Sequence, residues 1–341
     1  YNFTIFKHNP SNPGSISDDW ITRVFQDSKG NIWIGTSNGL NRYLPVTSTF
    51  KVYSFLTEEL QKIQSAVGIG SIFEDKEGTL LVGTSVNGFY EYNSAEDKFS
   101  LKGKYEELIK LTSKDFIRCF LEDKDRNIWI GLDRGVLRFN PKDKSVKHFK
   151  HETGNVNSLS NNVVVTIVED KDGDLWFGTM MGLNRFDKKN EHFIHPSAFS
   201  DKPQYLDTEL ILSLFVDSKN YLWIGGFHGL IKLDKRNGAT EIHLNDRRRP
   251  KSLSADRIYD IKEDRSGSMW IGTYKGGVNR FDPRLNKFIS FVHDEFNTNS
   301  LAGQGVKAFF KDENGVLWIG TENNGLDNYD SKQKTFKHFR H

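Results

Sequence analysis

The sequence predicts an all-β fold, a seven-bladed β-propeller with four antiparallel strands in each blade, and two recurring features predict it. The first is the tetrapeptide Trp33-Ile34-Gly35-Thr36, whose glycine recurs seven times at intervals of 47 or 48 residues. The second is an aspartate that stands eight positions before each of these glycines. The coupled positions are Asp27 with Gly35, Asp75 with Gly83, Asp123 with Gly131, Asp170 with Gly178, Asp217 with Gly225, Asp264 with Gly272 and Asp312 with Gly320. One repeat therefore accounts for nearly the whole chain of 341 residues.

Each unit contains four short strand signals in the same order. The first ends at the repeated aspartate, as in Ile21–Gln26, and the second carries the Trp-Ile-Gly-Thr motif. The third opens with Gly-Leu and continues as Asn41-Arg42-Tyr43, and the fourth is aromatic and basic, as in Phe50–Phe55. Because a single unit leaves its apolar faces uncovered, we expect the units to close into a ring.

The turn residues agree with this strand order. Glycine or asparagine stands three positions after six of the seven repeated aspartates, where a tight hairpin requires a left-handed backbone. Arg126 stands there in the third unit, so we expect that turn to be strained or differently shaped.

We predict a single domain over residues 1–341, with units of approximately 18–66, 67–113, 114–160, 161–207, 208–254, 255–302 and 303–341. A fourth-strand signal also occurs at residues 3–6, ahead of the first unit. This strand either completes the seventh blade and fastens the ring, or remains from a preceding blade of a longer array. We expect the chain to be a fragment of a longer protein that still closes as seven blades.

Composition excludes several classes of function. The 47 Lys and Arg residues nearly balance the 45 Asp and Glu residues, which argues against nucleic acid or an anionic membrane as a partner. Cys119 is the only cysteine, so we expect a buried, inert thiol and neither a disulfide framework nor a thiolate metal cluster. The acidic run Asp170–Asp174 lacks the further ligands of a calcium loop. No metal and no cofactor is predicted, because the sequence also lacks a phosphate loop and a nucleophile motif.

Residues present in every unit are predicted to be scaffold, and function is expected where the units differ, on the loops. The loops between the second and third strands, and those before the first strands, fall on one face of a propeller. Aromatic faces suit sugar rings, and basic side chains suit carboxylate or sulfate groups. The candidate ligand-binding residues on this face are Trp20, Arg134, His228, Arg257, Tyr274 and Lys275. The alternative is an ordinary solvated rim.

A basic cluster, Arg247-Arg248-Arg249, lies in the polar loop between the fifth and sixth units. It suits a sulfated or uronic sugar or a partner domain, and the alternative is a hydrated loop.

The repeat resembles the two-component-regulator propeller repeat, most closely over Asp170–Asp187 and nearly as closely over Asp264–Asp282. The segment Ser252-Leu253-Ser254 also fits that family. The family forms the periplasmic sensor region of hybrid histidine kinases, especially in gut Bacteroidetes. Leu81, Leu132 and Gly226 depart from the motif, and we interpret them as packing variations.

The resemblance implies a periplasmic sensor that recognises oligosaccharides released from polysaccharides and signals by changed domain or dimer packing. It implies a neighbouring propeller and a β-sandwich as partners, a homodimer, and a histidine kinase as the full-length protein, with no enzymatic activity in this segment. Two alternatives stay open. One is a polysaccharide-degrading lyase or glycosidase, for which Asp133 and Asp256 are carboxylate candidates but no pair is singled out. The other is a protein-interaction scaffold.

Overall fold

The computed structural model describes residues 7–55, 66–246, 248–249, 251–264, 266–283, 287–297, 300–312, 317–330 and 335–339. These residues form β-strands, one short α-helix, and 3-10 helices at Pro196–Ala198 and Pro203–Tyr205. The strands are β1 Ile21–Gln26, β2 Ile32–Thr36, β3 Gly39–Leu44, β4 Thr49–Tyr53, β5 Ile69–Glu74, β6 Leu80–Thr84, β7 Phe89–Asn93, β8 Lys98–Ser100, β9 Cys119–Glu122, β10 Ile128–Leu132, β11 Gly135–Phe139, β12 Val146–Phe149, β13 Val164–Glu169, β14 Leu175–Thr179, β15 Gly182–Asp187, β16 His192–Ile194, β17 Ile211–Val216, β18 Leu222–Gly226, β19 Leu230–Leu233, β20 Thr240–His243, β21 Ile258–Glu263, β22 Met269–Thr273, β23 Val278–Asp282, β24 Lys287–Phe291, β25 Val306–Lys311, β26 Leu317–Thr321, β27 Leu326–Asp330 and β28 Thr335–Phe339. The helix, α1, spans Glu106–Leu111.

Across the described residues the strands pair into seven four-stranded antiparallel sheets, and in each sheet the order along the chain is also the order in space. Blade 1 comprises β1 to β4, and each later group of four strands forms the next blade. The predicted fold, a seven-bladed β-propeller with four antiparallel strands in each blade, is therefore confirmed.

The outer strand of blade 7 is β28, which pairs with β27 from Leu326 opposite Phe339 to Asp330 opposite Thr335. The described part of the chain thus supplies four strands for this blade. Residues 3–6, the proposed closing or leftover strand, lie outside the described residues.

The blades belong to two compact units. One unit contains blades 1, 2 and 7, and the other contains blades 3 to 6, from Arg118 to Tyr274 and from Val278 to Ser290.

The repeated glycine allows neighbouring blades to approach closely. A Cβ on Gly35 would lie 2.8 Å from the Cβ of Ile69 in the next blade. A Cβ on Gly178 would lie 2.5 Å from Cγ2 of Ile211, again in the next blade. Separations this short are not tolerated, so a larger residue here would force the blades apart.

The repeated aspartate and tryptophan bind each other. In six blades the indole Nε1 donates to an oxygen of the aspartate, for example from Trp129 to Asp123 at 2.8 Å and from Trp223 to Asp217 at 2.8 Å. The second oxygen of the carboxylate accepts backbone N–H groups of the tight turn, as Asp217 does from Lys219 and Tyr221. The Asp and Trp positions are therefore scaffold, as predicted.

The turn at Arg126 has the same shape as the others. Its φ is 71°, in the left-handed region, and its N–H donates to Asp123 O at 3.1 Å, as Gly173 donates to Asp170 O at 3.1 Å. Of the two alternatives predicted for this turn, the structure thus excludes a different shape. A left-handed non-glycine residue carries a backbone cost of about 1–2 kcal/mol.

Three further observations concern the excluded classes. Cys119 is partly buried, not fully buried as predicted, because it stands opposite Gly131 at a position that is not apolar in most blades. The corresponding residues in five other blades are polar, namely Arg23, Ser71, Thr166, Ser213 and Asp260. Within the described part of the chain, no group of three or more His, Cys, Asp or Glu residues is placed to hold a metal ion. No helix among the described residues is long and apolar enough to cross a membrane.

Candidate functional site

Blade 5 differs from blades 1, 2 and 4 in the way that it anchors the loop after its second strand. In those three blades a threonine ends this strand, and its hydroxyl accepts a hydrogen bond from a loop N–H. In blade 1, Thr36 Oγ1 accepts from Asn38 N at 3.1 Å, and in blade 4, Thr179 Oγ1 accepts from Met181 N at 3.1 Å. Blade 5 has Gly226 in place of this threonine, so its loop needs another acceptor.

Glu209, from the loop before β17, supplies that acceptor. Its Oε1 accepts from the backbone N–H of Phe227 and from that of His228, the latter at 3.2 Å. A Cβ on Gly226 would lie 2.3 Å from Glu209 Oε1, so the glycine makes room for the carboxylate. The Glu209 side chain is 7% exposed, and its hydrogen bonds compensate for burying the charge.

The second oxygen of Glu209 holds the His228 side chain. Glu209 Oε2 lies 2.9 Å from His228 Nδ1, while 82% of the imidazole surface is exposed. The loop is therefore fixed at its backbone and presents an oriented imidazole to solvent.

Arg257, from the segment before β21, lies between two aromatic rings. Its guanidinium carbon is 3.9 Å from the ring centroid of Phe227 in blade 5 and 4.8 Å from that of Tyr274 in blade 6. Tyr259 packs edge-on against Tyr274 with centroids 6.0 Å apart. The register of β21 with β22 shifts between Ile258 and Asp260, so Tyr259 lies at a bulge, which re-aims its side chain.

Together Glu209, Phe227, His228, Arg257 and Tyr274 form what we call the blade 5–6 site. All are half-buried except buried Glu209 and exposed His228. A planar cation flanked by rings, beside an imidazole, can bind a carboxylate or hydroxyl groups and stack against a sugar ring. Glu209 is occupied by backbone N–H groups, so the arrangement favours binding over acid–base chemistry.

The structure brings three of the six predicted residues, His228, Arg257 and Tyr274, into this site. Two others have different surroundings. Trp20 is 37% exposed and lies under Lys307, whose Nζ is 5.0 Å from its ring. Arg134 Nη1 lies 3.3 Å from Nδ1 of His148 in its own blade. Lys275 is exposed and has a left-handed backbone with φ of 60°. Ligand contact by any of the six stays a prediction.

Sequence reasoning did not select Glu209 and Phe227, although both stand in the loops that it examined. The signal was the departure of Gly226 from threonine, which was interpreted as packing. Glu209, in the same blade, supplies the acceptor that the missing threonine would have provided. The relation between Glu209 and Gly226 is visible only in the folded structure.

The two charged runs that the sequence singled out are engaged locally. Arg248 Nε and Arg249 Nε lie 3.2 and 3.4 Å from the carboxylate of Asp246, and Arg247 lies outside the described residues. Asp170, in the run that resembles a calcium loop, accepts from Trp176 and from the buried ammonium of Lys235.

Five segments of the chain match the sequence model of the family described as two component regulator propeller. They are residues 15–38, 111–134, 158–181, 252–275 and 300–323. In addition, 149 residues are 28% identical to histidine kinase P4 of Formosa agariphila, a match that covers 41% of this chain and 10% of the relative.

Solved structures share the fold. The extracellular domain of a hybrid two component system from B. thetaiotaomicron has a TM-score of 0.73 and 20% identity over 96% of this chain and 42% of its own. Virginiamycin B lyase from Staphylococcus aureus has a TM-score of 0.61 and 12% identity over 90% of this chain and 94% of its own. PorZ of Porphyromonas gingivalis, a component of the type-IX secretion system, has a TM-score of 0.62 and 15% identity over 92% and 46%. At these identities the likeness shows the fold alone.

The chain thus spans less than half of the Bacteroides ectodomain, and its match covers a tenth of the histidine kinase. The five matching segments are thus two-component regulator propeller repeats, and they lie in a fold of seven four-stranded sheets.

Proposed function

We propose that this chain is the ligand-sensing propeller of an extracytoplasmic, periplasmic sensor region in a hybrid two-component histidine kinase. Five of its segments are two-component regulator propeller repeats, and part of the chain is 28% identical to a histidine kinase. The segment itself is a binding module, and the kinase activity resides elsewhere in the full-length protein.

We further propose that the ligand is an oligosaccharide released from a polysaccharide and that it binds at the blade 5–6 site. The observation that carries this proposal is the position of Arg257 between Phe227 and Tyr274, at 3.9 and 4.8 Å. The loop that carries Phe227 and His228 is anchored by hydrogen bonds to the buried carboxylate of Glu209. The binding groups on this loop are therefore pre-positioned and lose little conformational entropy when a ligand binds.

The signal would pass through packing between domains or between two copies. A ligand shifts such an equilibrium by its difference in affinity for the two arrangements. A rigid propeller suits this role because rigid-body docking, not internal remodelling, then carries the change. A neighbouring propeller, a β-sandwich and a second copy are the partners that the family resemblance implies.

The test is thermal stabilisation and calorimetric titration of the chain with a panel of oligosaccharides. We expect saturable stabilisation by a cognate sugar without turnover, because the ligand binds the folded state alone. Arg257→Gln and Tyr274→Ala should each weaken that binding at least tenfold. Lys189→Gln, which removes an exposed cation from the turn before β16, is the control and should bind like the unchanged chain.

Other outcomes would replace the proposal. Turnover of a polysaccharide would indicate the lyase or glycosidase alternative. An absence of sugar binding, together with stoichiometric capture of a defined protein, would indicate the scaffold alternative. If both substituted proteins still bound the sugar with unchanged affinity, the sugar would bind at a site that does not include Arg257.

A further inference from the structure

A recurring ion pair joins a third-strand arginine to the next blade. In blade 1, Arg42 donates from Nη1 and Nη2 to the two carboxylate oxygens of Asp97, both at 3.1 Å. Asp97 has a left-handed backbone, with φ of 48°, in the turn before the outer strand of blade 2. Lys51 and the hydroxyl of Tyr53 donate to the same carboxylate. We call this arrangement the clamp.

The clamp recurs between blades 3 and 4. Arg138 Nη2 donates to Glu191 Oε1 at 2.6 Å, and Lys147 pairs with the other oxygen. Glu191 occupies the same turn position as Asp97, with φ of 54°. Hydrogen bonds from Lys147 and Arg138 lower the pKa of Glu191, as is expected for a carboxylate held between two cations.

Between blades 4 and 5 the arginine is present and the acid is absent. Arg185 lies 5.9 Å from the ring of Trp176, as Arg42 lies 5.6 Å from Trp33. The turn position that carries Asp97 or Glu191 is here Gly238, with φ of 76°. Among the described residues Arg185 has one ion-pair contact, to Asp174 Oδ2 of its own blade at 4.0 Å.

The strand next to Arg185 also lacks the second cation of the clamp. Arg42 pairs across the sheet with Lys51, and Arg138 with Lys147, but Arg185 pairs with Ile194. Strand β16 ends at Ile194 and is followed by the 3-10 helix Pro196–Ala198, after which Phe199 brings its ring to 5.6 Å from the Arg185 guanidinium. An aromatic surface thus replaces the lysine beside the arginine.

Arg185 faces a cleft of about 500 Å³, lined by Ser197, Phe199, Asp201, Arg236 and Asn237 among others. Arg236 pairs with Asp234 at 2.7 Å, and Lys235 pairs with buried Asp170. Asp201 contributes one negative charge and is exposed. The guanidinium of Arg185, 31% exposed, is therefore the cation in this cleft whose usual carboxylate is missing.

We propose that this cleft binds an oxyanion, a carboxylate or a sulfate group carried by a small saccharide, in the place where the clamp carboxylate lies in blades 2 and 4. An arginine fork binds either group through two parallel hydrogen bonds. The Phe199 ring provides an apolar face for the sugar, and Ser197 and Asn237 provide polar groups. This site lies at the opposite ends of the strands from the blade 5–6 site, and it rests on the proposed function only in taking a saccharide.

The experiment is calorimetric titration of the full chain at constant ionic strength with three probes. They are a galacturonic acid trimer, a chondroitin 4-sulfate disaccharide and neutral maltotriose. We expect at least one anionic probe to bind and maltotriose not to bind. Binding of the trimer alone identifies the ligand group as a carboxylate. If the disaccharide binds and still binds after its sulfate has been removed, its carboxylate is again the group recognised.

Two variants test the contact. Arg185→Gln should weaken binding of the anionic probe at least tenfold. Asn237→Asp should weaken it severalfold, because the new charge repels the probe while the side-chain oxygen still accepts from Ala239 N. Near-ultraviolet circular dichroism checks that both variants are folded.

A control variant separates this cleft from a closed clamp. Arg138→Gln removes a guanidinium that already pairs with Glu191, so it should bind the probe within twofold of the unchanged chain. Binding of neither anionic probe, equal binding by Arg185→Gln, or equal affinity for maltotriose would overturn the proposal. Such a result, with Arg257→Gln still affecting a cognate sugar, would leave the proposed function standing.

Discussion

At the residue scale, the repeated aspartate of the Asp–Trp link stabilises both the tight turn and the core of its blade. One carboxylate oxygen of Asp123 accepts from Trp129 Nε1 at 2.8 Å, and the other accepts from Asn127 N at 2.8 Å. The Asp123 side chain is buried, so each lost donor leaves a desolvated charge less compensated. The link therefore joins the tight turn to the core of the blade.

Trp129→Phe should lower the free energy of unfolding by about 2–4 kcal/mol, because it removes a hydrogen bond to a buried carboxylate together with part of a buried ring. Urea denaturation at neutral pH measures the change. Trp20→Phe is the matched control, since Trp20 is exposed, and it should change stability by less than about 0.5 kcal/mol. Equal effects of the two substitutions would contradict the structural role of the link.

His243 illustrates a residue that differs among the blades within the core. It stands opposite Leu230 in the sheet, as Tyr53 stands opposite Leu40 and Phe149 opposite Val136. Its ring stacks on Trp223 with centroids 6.2 Å apart. Burial lowers the pKa of His243, while the carboxylate of Glu241 raises it and the ammonium of Lys232 lowers it further.

The lowered pKa predicts a loss of stability in mild acid. Below about pH 6.5 the unfolded chain binds a proton at this histidine that the folded chain binds less readily. The free energy of unfolding should therefore fall as the pH drops from 6.5 toward the folded-state pKa. In urea titrations between pH 7 and pH 5, the free energy of unfolding of the His243→Phe variant should fall less steeply than that of the unchanged chain. That of the Glu241→Gln variant should fall more steeply. Identical pH dependence in all three proteins would refute this explanation.

At the element scale, helix α1 compensates for the blade that lacks the tryptophan. Blade 2 has Leu81 in that position, so the carboxylate of Asp75 needs another donor. Tyr105, at the start of the helix, donates its hydroxyl to Asp75 Oδ2 at 2.7 Å, and Lys104 donates at 2.6 Å. Burial alone would raise the pKa of Asp75, but hydrogen bonds from Lys104 and Tyr105 hold it below the ordinary value.

Tyr105→Phe should destabilise the protein by about 1.5–3 kcal/mol, because it removes one hydrogen bond from a buried carboxylate and keeps the ring. Tyr205→Phe makes the same chemical change at an exposed residue and should be nearly neutral. The comparison of the two midpoints of thermal unfolding is the measurement. If Tyr105→Phe also proved neutral, Lys104 alone would satisfy Asp75.

At the scale of the whole molecule, stability depends on each blade covering the next. In the unit that contains blades 1, 2 and 7, the core cluster of Ile21, Ile34 and Phe50 from blade 1 includes Trp318 and Leu326 from blade 7. These side chains are more than nine-tenths buried. A blade without its neighbour therefore exposes a continuous apolar face.

A chain that ends after Val292 lacks blade 7 and should lose cooperative unfolding, because the blade 1 face becomes exposed to water. We expect increased binding of an apolar dye and association in size-exclusion chromatography, compared with the full chain at the same concentration. A monomeric truncated chain that unfolds cooperatively at the original temperature would show that blade 7 is dispensable.

Much of the architecture was predictable because the repeat is periodic. The Asp–Gly spacing predicted the blades and the order of the strands. The loop positions predicted six candidate residues on one face, of which the structure brings His228, Arg257 and Tyr274 together. Cys119 was wrongly expected to be fully buried, because the prediction relied on its apolar neighbours in the chain, whereas the same repeat position carries a polar residue in five other blades. The roles of Glu209 and Phe227 were missed, because an exception to a repeat can be explained equally well by packing or by a site.

The sequence by itself determined seven blades of four strands, since hairpin turns, strand patterns and the repeated glycine act within a few residues. Tertiary structure decided which groups meet: Glu209 with the loop after Gly226 inside blade 5, Arg257 with Phe227 across blades 5 and 6, and Arg185 with a cleft that is also lined by Gly238, the residue that replaces an acid. The reason is physical. These residues are 18 to 53 positions apart, and their partners depend on the path of each loop and on the packing of one blade against the next.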